Sequence, residues 1–380
     1  MLFPPLDAAK KHSRVLHLRP ASQYNDDLIC HFSIISLDDT VIQYEALSYV
    51  WGIQMHNDRV LVQGEPIKVT ENLYIALQNL RFTDQERVLW IDALCIDQFN
   101  TEERAFQVSL MSSIYKRARN VVIWLGETWN GCHLAIDYLN QLGEDKNLRL
   151  NPSLSPSIRV AGESLDSAQI QDALKKFFSL PWWTRVWTVQ EWVLAQQTVF
   201  QCGQHFLDGQ VVRKSLRHFF HHWQQCCFKL DDDPAKDSLF NCLLIMESME
   251  YIRLLLNDVS FPYIISQFRA RQATDMRDKV YGMLGLATGQ YEDLIKADYS
   301  SPVEEIFEAS TVKMIQRTGK LEILSHIPIL GQRNLNLPSF VPDWTVAVGN
   351  DAKYTNWLNW LGHLHYTSTM HVEAKLLISK

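Results

Sequence analysis

Between Tyr44 and Gly126 the chain alternates short β-type runs with helix-period stretches, and this grammar constrains the fold more than any other feature. YEALSY at Tyr44–Tyr49, VLWI at Val88–Ile91 and VVIWL at Val121–Leu125 are the strand candidates. The last is a continuous apolar run closed by Gly126, as a strand covered on both faces requires. Between them Leu73, Ala76, Leu77 and Leu80 follow a 3/4 period behind Thr70 as cap. Val108, Met111, Tyr115 and Ala118 form a second stripe behind the capping-box pair Asn100 and Glu103. Strands alternating with helices imply a parallel sheet with right-handed crossovers, whose ligands lie beyond the carboxyl ends of the strands. The loops after Tyr49, Ile91 and Leu125 are therefore where function is expected.

The remaining pattern extends this reading. Val60–Val62 and Ile67–Val69 predict a hairpin turning at Gly64-Glu65. Residues 127–176 break the rhythm and read as an insertion holding one helix around His133–Leu142. Residues 180–195 (LPWWTRVWTVQEWVLA) read as helical, with Trp183, Trp187 and Glu191 at i, i+4 and i+8 on one face. Thr198–Cys202 is strand-like. Beyond it the chain is expected to be mostly helical over Val211–Cys227, Leu239–Leu256, Asp278–Leu286 and Pro302–Arg317, the last capped by Ser301 with Glu304 completing a box. The expected organisation is an N-terminal extension (1–43), an α/β domain (44–203) and a mostly helical C-terminal region (204–380).

Charge and composition remove several classes. Lys+Arg 36 against Asp+Glu 43 gives −7, which offers no long-range attraction to phosphate backbones or anionic lipid, so no nucleic-acid partner is expected. No apolar run approaches the roughly 18 residues of a membrane span, so no membrane span is expected either. The opening MLFPPLDAAKKHSRVLHL lacks the form of a secretory signal, and a cytoplasmic location is the default. Seven scattered cysteines without a C-x-x-C fit neither a disulfide framework nor a zinc ribbon, and no metal is expected. Cys95 has no histidine in its motif to activate it, and His218, His222 and Cys226, at zinc-ligand spacing on a helix, read as an ordinary helix face.

Four motifs occur in order: YEALSYVWG at Tyr44–Gly52, LWIDALCIDQ at Leu89–Gln98 followed by Glu103-Arg104, VIWLG at Val122–Gly126, and RVWTVQE at Arg185–Glu191. Together they resemble the HET domain of fungal heterokaryon-incompatibility proteins over roughly residues 44–203. RDKVYG at Arg277–Gly282, DYS at Asp298–Ser300 and LPSFVPDW at Leu337–Trp344 resemble what commonly follows that domain. The resemblance implies a TIR-like (flavodoxin-like) parallel sheet flanked by helices. It also implies a role in non-self recognition, innate immunity and programmed cell death. Many TIR domains cleave NAD with a glutamate preceded by a tryptophan on the helix after the third strand, and Trp187-Thr-Val-Gln-Glu191 is similar to that element, so NAD is the implied substrate, with no further cofactor required.

Glu191 is the catalytic candidate on chemical grounds too. Breaking the nicotinamide–ribose bond builds positive charge on the sugar, which a carboxylate beneath it stabilises. Ser48, Trp51 and Gly52 follow the first strand, where an indole stacks on a base and a glycine lets phosphate approach, or where both simply pack a turn. Asp92 and Asp97 are candidates for ribose hydroxyls, with ion pairing to Arg104 or Arg185, or loop capping, as the structural alternative. Trp182, Trp183 and Trp192 are read as core or interface anchors, the latter offering a surface for an activating partner or self-association. The competing function is a non-catalytic death-signalling interaction module.

Overall fold

A computed structural model describes residues 2–39, 42–53, 55–148, 159–160, 163–164, 167–222, 244, 246–327 and 333–346. The chain divides into two compact units, Met1–Leu254 and Leu255–Lys380.

The first unit is built on a nine-stranded sheet. Its strands are β1 (His12–Leu18), β2 (Ile29–Ser36), β3 (Glu45–Tyr49), β4 (Met55–Val62), β5 (Glu65–Thr70), β6 (Arg87–Trp90), β7 (Asn120–Trp124), β10 (Thr198–Cys202) and β11 (His205–Asp208); β8 (Arg159–Val160) and β9 (Glu163–Ser164) pair separately. The spatial order is β11-β10-β7-β3-β6-β1-β2-β4-β5. The four expected strands β6, β3, β7 and β10 are adjacent and mutually parallel. Within this core the strands stand second, first, third and fourth in chain order, so the order reverses between β3 and β7.

The whole sheet, however, is mixed rather than parallel. β1 runs antiparallel to both β6 and β2, β4 antiparallel to β5, and β11 antiparallel to β10. The expected N-terminal extension supplies β1 and β2. Its pattern hid this because Arg14, in mid-strand, is fully buried. Arg14 donates to both Glu103 oxygens, at 2.6 and 3.0 Å, and to the Cys95 carbonyl at 3.0 Å, and its guanidinium lies 5.1 Å from the Phe3 ring centroid. A buried cation is tolerated because a carboxylate and carbonyls satisfy it. The hairpin forms one residue earlier than expected, with Gln63 and Gly64 both at positive φ as a type I′ turn demands.

Helices α1 (Glu71–Leu80), α2 (Asp92–Cys95), α3 (Thr101–Arg117), α4 (Cys132–Glu144), α5 (Ser167–Phe178), α6 (Thr188–Val193) and α7 (Gly209–His222) belong to this unit as well. Asn100 caps α3 by accepting from the Glu103 amide at 3.1 Å. The Glu103 carboxylate does not close the box; it serves Arg14 and the Asp97 amide instead. α7 starts against β10, where a Cβ built on Gly209 would lie 1.7 Å from Thr198 Oγ1 and 3.0 Å from the Thr198 carbonyl. Gly209→Ala is therefore expected to destabilise by about 1–3 kcal/mol, as overpacking does, and an unchanged urea midpoint would show that the strand–helix contact yields.

The expected Val211–Cys227 and Leu239–Leu256 helices fall partly outside the described residues; residues 246–254 are helical. In the second unit Ser260 caps the helix Phe261–Phe268, Asp278–Tyr281 forms a single turn, and Val303–Thr318 ends at Gly319 with φ 65. The N-cap of the last is Pro302, not Ser301, whose hydroxyl donates to Asp298 at 2.8 Å.

Candidate active site

Because β3 and β6 are parallel, their carboxyl ends deliver Ser48 and, two residues past the strand, Asp92 to the same edge of the sheet. Glu191 reaches that edge from α6, a short helix with every residue buried. The expected long helix over 180–195 is broken. Pro181–Thr184 forms a 3-10 turn, Arg185 is extended, and α6 begins only at Thr188, whose hydroxyl donates back to the Arg185 carbonyl at 2.8 Å. The break moves Trp183 off the face it was expected to share with Glu191. Trp183 instead stacks on Phe200 at 5.3 Å, and its indole donates to the Phe177 carbonyl. Trp182 takes the position at the site: its indole donates to Ser48 Oγ at 2.7 Å, and that hydroxyl donates in turn to Glu191 Oε2.

The Glu191 carboxyl is 6% exposed, and burial pushes it up to about 7 against the ordinary 4.5. The Ser48 hydrogen bond works against this rise, the Asp92 charge adds to it, and Arg185 and Tyr115 oppose it. Asp92 is raised by burial as well, countered by the Trp51 indole at 2.7 Å, the Ala93 amide at 2.7 Å and the Arg185 charge. Tyr49 and Tyr115 have hydroxyls held well above the usual phenol value by burial, so both remain donors. Tyr115 donates to the Leu47 carbonyl at 3.2 Å, whereas the buried Tyr49 hydroxyl approaches Asp92 without closing a hydrogen bond. Two carboxyls of raised pKa, one guanidinium and two protonated phenols thus share one sheet edge.

Of the sequence-designated residues, Ser48, Asp92, Glu191 and Trp51 are joined by these contacts. Gly52 stands exposed beside them with φ +75, and Asn72 fixes the loop by donating to the Val50 carbonyl at 2.6 Å. Trp187 is half-buried at the N-cap of α6. Asp97 joins the loop structure rather than the carboxyl pair: its side chain accepts from the Phe99 amide at 3.1 Å. Cys95 is buried with its thiol raised to about 12 by burial, unfit as a nucleophile. His218 Nδ1 lies 2.7 Å from the Leu142 carbonyl, while the His222 side chain and Cys226 lie outside the described residues. Tyr49, Tyr115 and Arg185 were not singled out for the site, although Arg185 opens the motif that ends in Glu191. Trp182, Trp183 and Trp192 are at most 2% exposed, so they form core and not an association surface.

Residues 44–191 match the sequence profile of the family described as heterokaryon incompatibility protein (HET). This stretch is similar to the HET family. The matched span runs from the residue before β3 to Glu191 itself and so takes in every residue of the carboxyl cluster. Over 398 aligned positions the chain is 28% identical to the heterokaryon incompatibility protein 6, OR allele, of Neurospora crassa, covering 88% of this chain and 58% of that protein. The chain therefore spans under two thirds of the length of the curated relative it matches. No solved structure matches it. Among the described residues no helix is long and apolar enough to cross a membrane.

Proposed function

We propose that this chain acts in fungal heterokaryon incompatibility as a cell-death effector, and that it does so by hydrolysing the nicotinamide–ribose bond of NAD at the Glu191 site. The observation that carries the chemistry is the Glu191 carboxyl, buried and hydrogen-bonded by Ser48 where the sheet order reverses, with Asp92 and an unsatisfied Tyr49 hydroxyl beside it. Open α/β sheets bind ligands at such a switch point, and the order of the parallel core is the beginning of the flavodoxin-type order, which supports a TIR-like relationship.

In the reaction the C1′–N bond breaks, its electron pair leaves with neutral nicotinamide, and the ribose becomes an oxocarbenium ion. Ionised Glu191 stabilises that charge in a site of low dielectric, with Ser48 and Trp182 fixing the carboxylate. Water adds at C1′ and releases one proton, giving ADP-ribose. In this reading Asp92 and Tyr49 hold ribose hydroxyls, and Trp51 and Gly52 border the nucleotide. The test is to incubate the purified chain with NAD across a range of protein concentrations and separate the products. Nicotinamide and ADP-ribose in equal amounts support the proposal; specific activity that rises with concentration marks a site completed by self-association. No product at any concentration would overturn the enzymatic reading in favour of an interaction module.

A further inference from the structure

The antiparallel pairing of β1 with β2 sets His17 directly opposite His31 and Val15 opposite Ser33, so His17, His31 and Ser33 share one face of the sheet. The pairing of β1 with β6 sets His17 opposite Val88, and Glu86, two residues before Val88, returns to that same face. The three elements therefore bring two imidazoles and a carboxylate together from separations no local motif would show. The rings stack with centroids 4.5 Å apart. His17 Nδ1 is 3.5 Å from Glu86 Oε2, and His31 Nδ1 is 3.9 Å from Glu86 Oε1. One ligating atom from each residue lies within 4.8 Å of the others.

The second ring nitrogen of His17 is engaged by Ser33 Oγ. When Nε2 carries the proton and donates it to Ser33, Nδ1 is left with the lone pair and faces His31 and Glu86. This is how a metal-ligating histidine is oriented: its other nitrogen is tied to a hydrogen-bonding group that fixes tautomer and ring angle. Two imidazole nitrogens and one carboxylate oxygen suit the borderline cation Zn2+, whose four-coordinate sites with three protein ligands keep one position for water. Ordinary ion pairing explains neither the parallel stacking of two histidines nor the Ser33 contact as economically.

We propose that His17, His31 and Glu86 form a zinc site that fastens the β1–β2 hairpin to the segment leading into β6. The site lies on strands outside the candidate active site and is independent of NAD chemistry. It can be tested with untagged full chain, freed of metal by a chelator, by calorimetric titration with zinc chloride and by Co2+ absorption. The expected result is one Zn2+ per chain and the visible bands of tetrahedral Co2+. His31→Ala should abolish both, because His31 is half-exposed and its removal leaves the fold intact by circular dichroism. Ser33→Ala should weaken binding about 10–100-fold, as loss of an orienting partner does, while His12→Ala, at the far end of β1, should bind as the parent does. No uptake by the folded parent, or uptake unchanged in His31→Ala and His17→Gln, would overturn the proposal and leave the cluster an ion pair.

Discussion

Glu191→Gln should abolish NAD cleavage and at the same time make the protein more stable at neutral pH. The catalytic loss follows from removing the charge that stabilises the oxocarbenium ion, and at least a hundredfold drop is expected, about the loss seen when one preorganised electrostatic group is deleted. The gain in stability follows from burial. The Glu191 carboxyl is raised from 4.5 to about 7 in the folded chain, so above pH 4.5 the unfolded chain binds fewer protons than the folded one. Stability contributed by this group is thus present at low pH and falls as pH rises through about 7, by about 3 kcal/mol in all. Glutamine has no such dependence. Urea melts of parent and variant should coincide near pH 4.5 and separate progressively up to pH 8, with the variant the more stable. A variant less stable at every pH would mean that Glu191 is chiefly a structural hydrogen-bond acceptor for Ser48.

Arg14→Ala should be the most damaging single change outside the carboxyl cluster. The guanidinium is 1% exposed, and its removal strands the Glu103 carboxylate, 12% exposed, without its cation. Breaking one partner of a buried pair costs about 3–5 kcal/mol. Burial pushes Glu103 up, but the Arg14 hydrogen bonds and the Asp97 amide outweigh it and hold the carboxyl below 4.5. Stability from this group is therefore full above that value and lost as pH falls below it, a dependence that Arg14→Ala should erase. Replacing both partners, Arg14→Met with Glu103→Leu, should recover most of the loss. A double variant no better than Arg14→Ala would mean that the carbonyls of Pro4 and Cys95, which Arg14 also caps, matter more than the ion pair.

The parallel core could be read from the sequence because its strands are short apolar runs between helix-period stretches, and those signals are local. The flanking antiparallel strands could not, since β1 carries Ser13 and Arg14 on buried positions and their partners, Gln107 and Glu103, lie 94 and 89 residues away. The candidate site was legible in its parts. Ser48, Asp92 and Glu191 each stand within a recognisable motif, yet the contact between Ser48 and Glu191 joins residues 143 apart. What failed was helix periodicity over 180–195: Pro181 sets a tight turn and the chain extends at Arg185, so Trp182 rather than Trp183 meets the site and the tryptophans turn inward. The His17, His31 and Glu86 cluster depended on strand register across three segments, which no spacing rule contains.

The most direct measurement is the rate of nicotinamide release from NAD as a function of pH, parent and Glu191→Gln side by side. In the proposed reaction Glu191 acts as the carboxylate, and its raised pKa puts the change of ionisation near neutrality. The expected result is a single-proton rise in the parent rate centred near about 7, with the variant at the level of buffer alone at every pH. Equal release by parent and variant, or a parent rate already at its plateau at pH 5, would contradict catalysis by a buried Glu191 carboxylate.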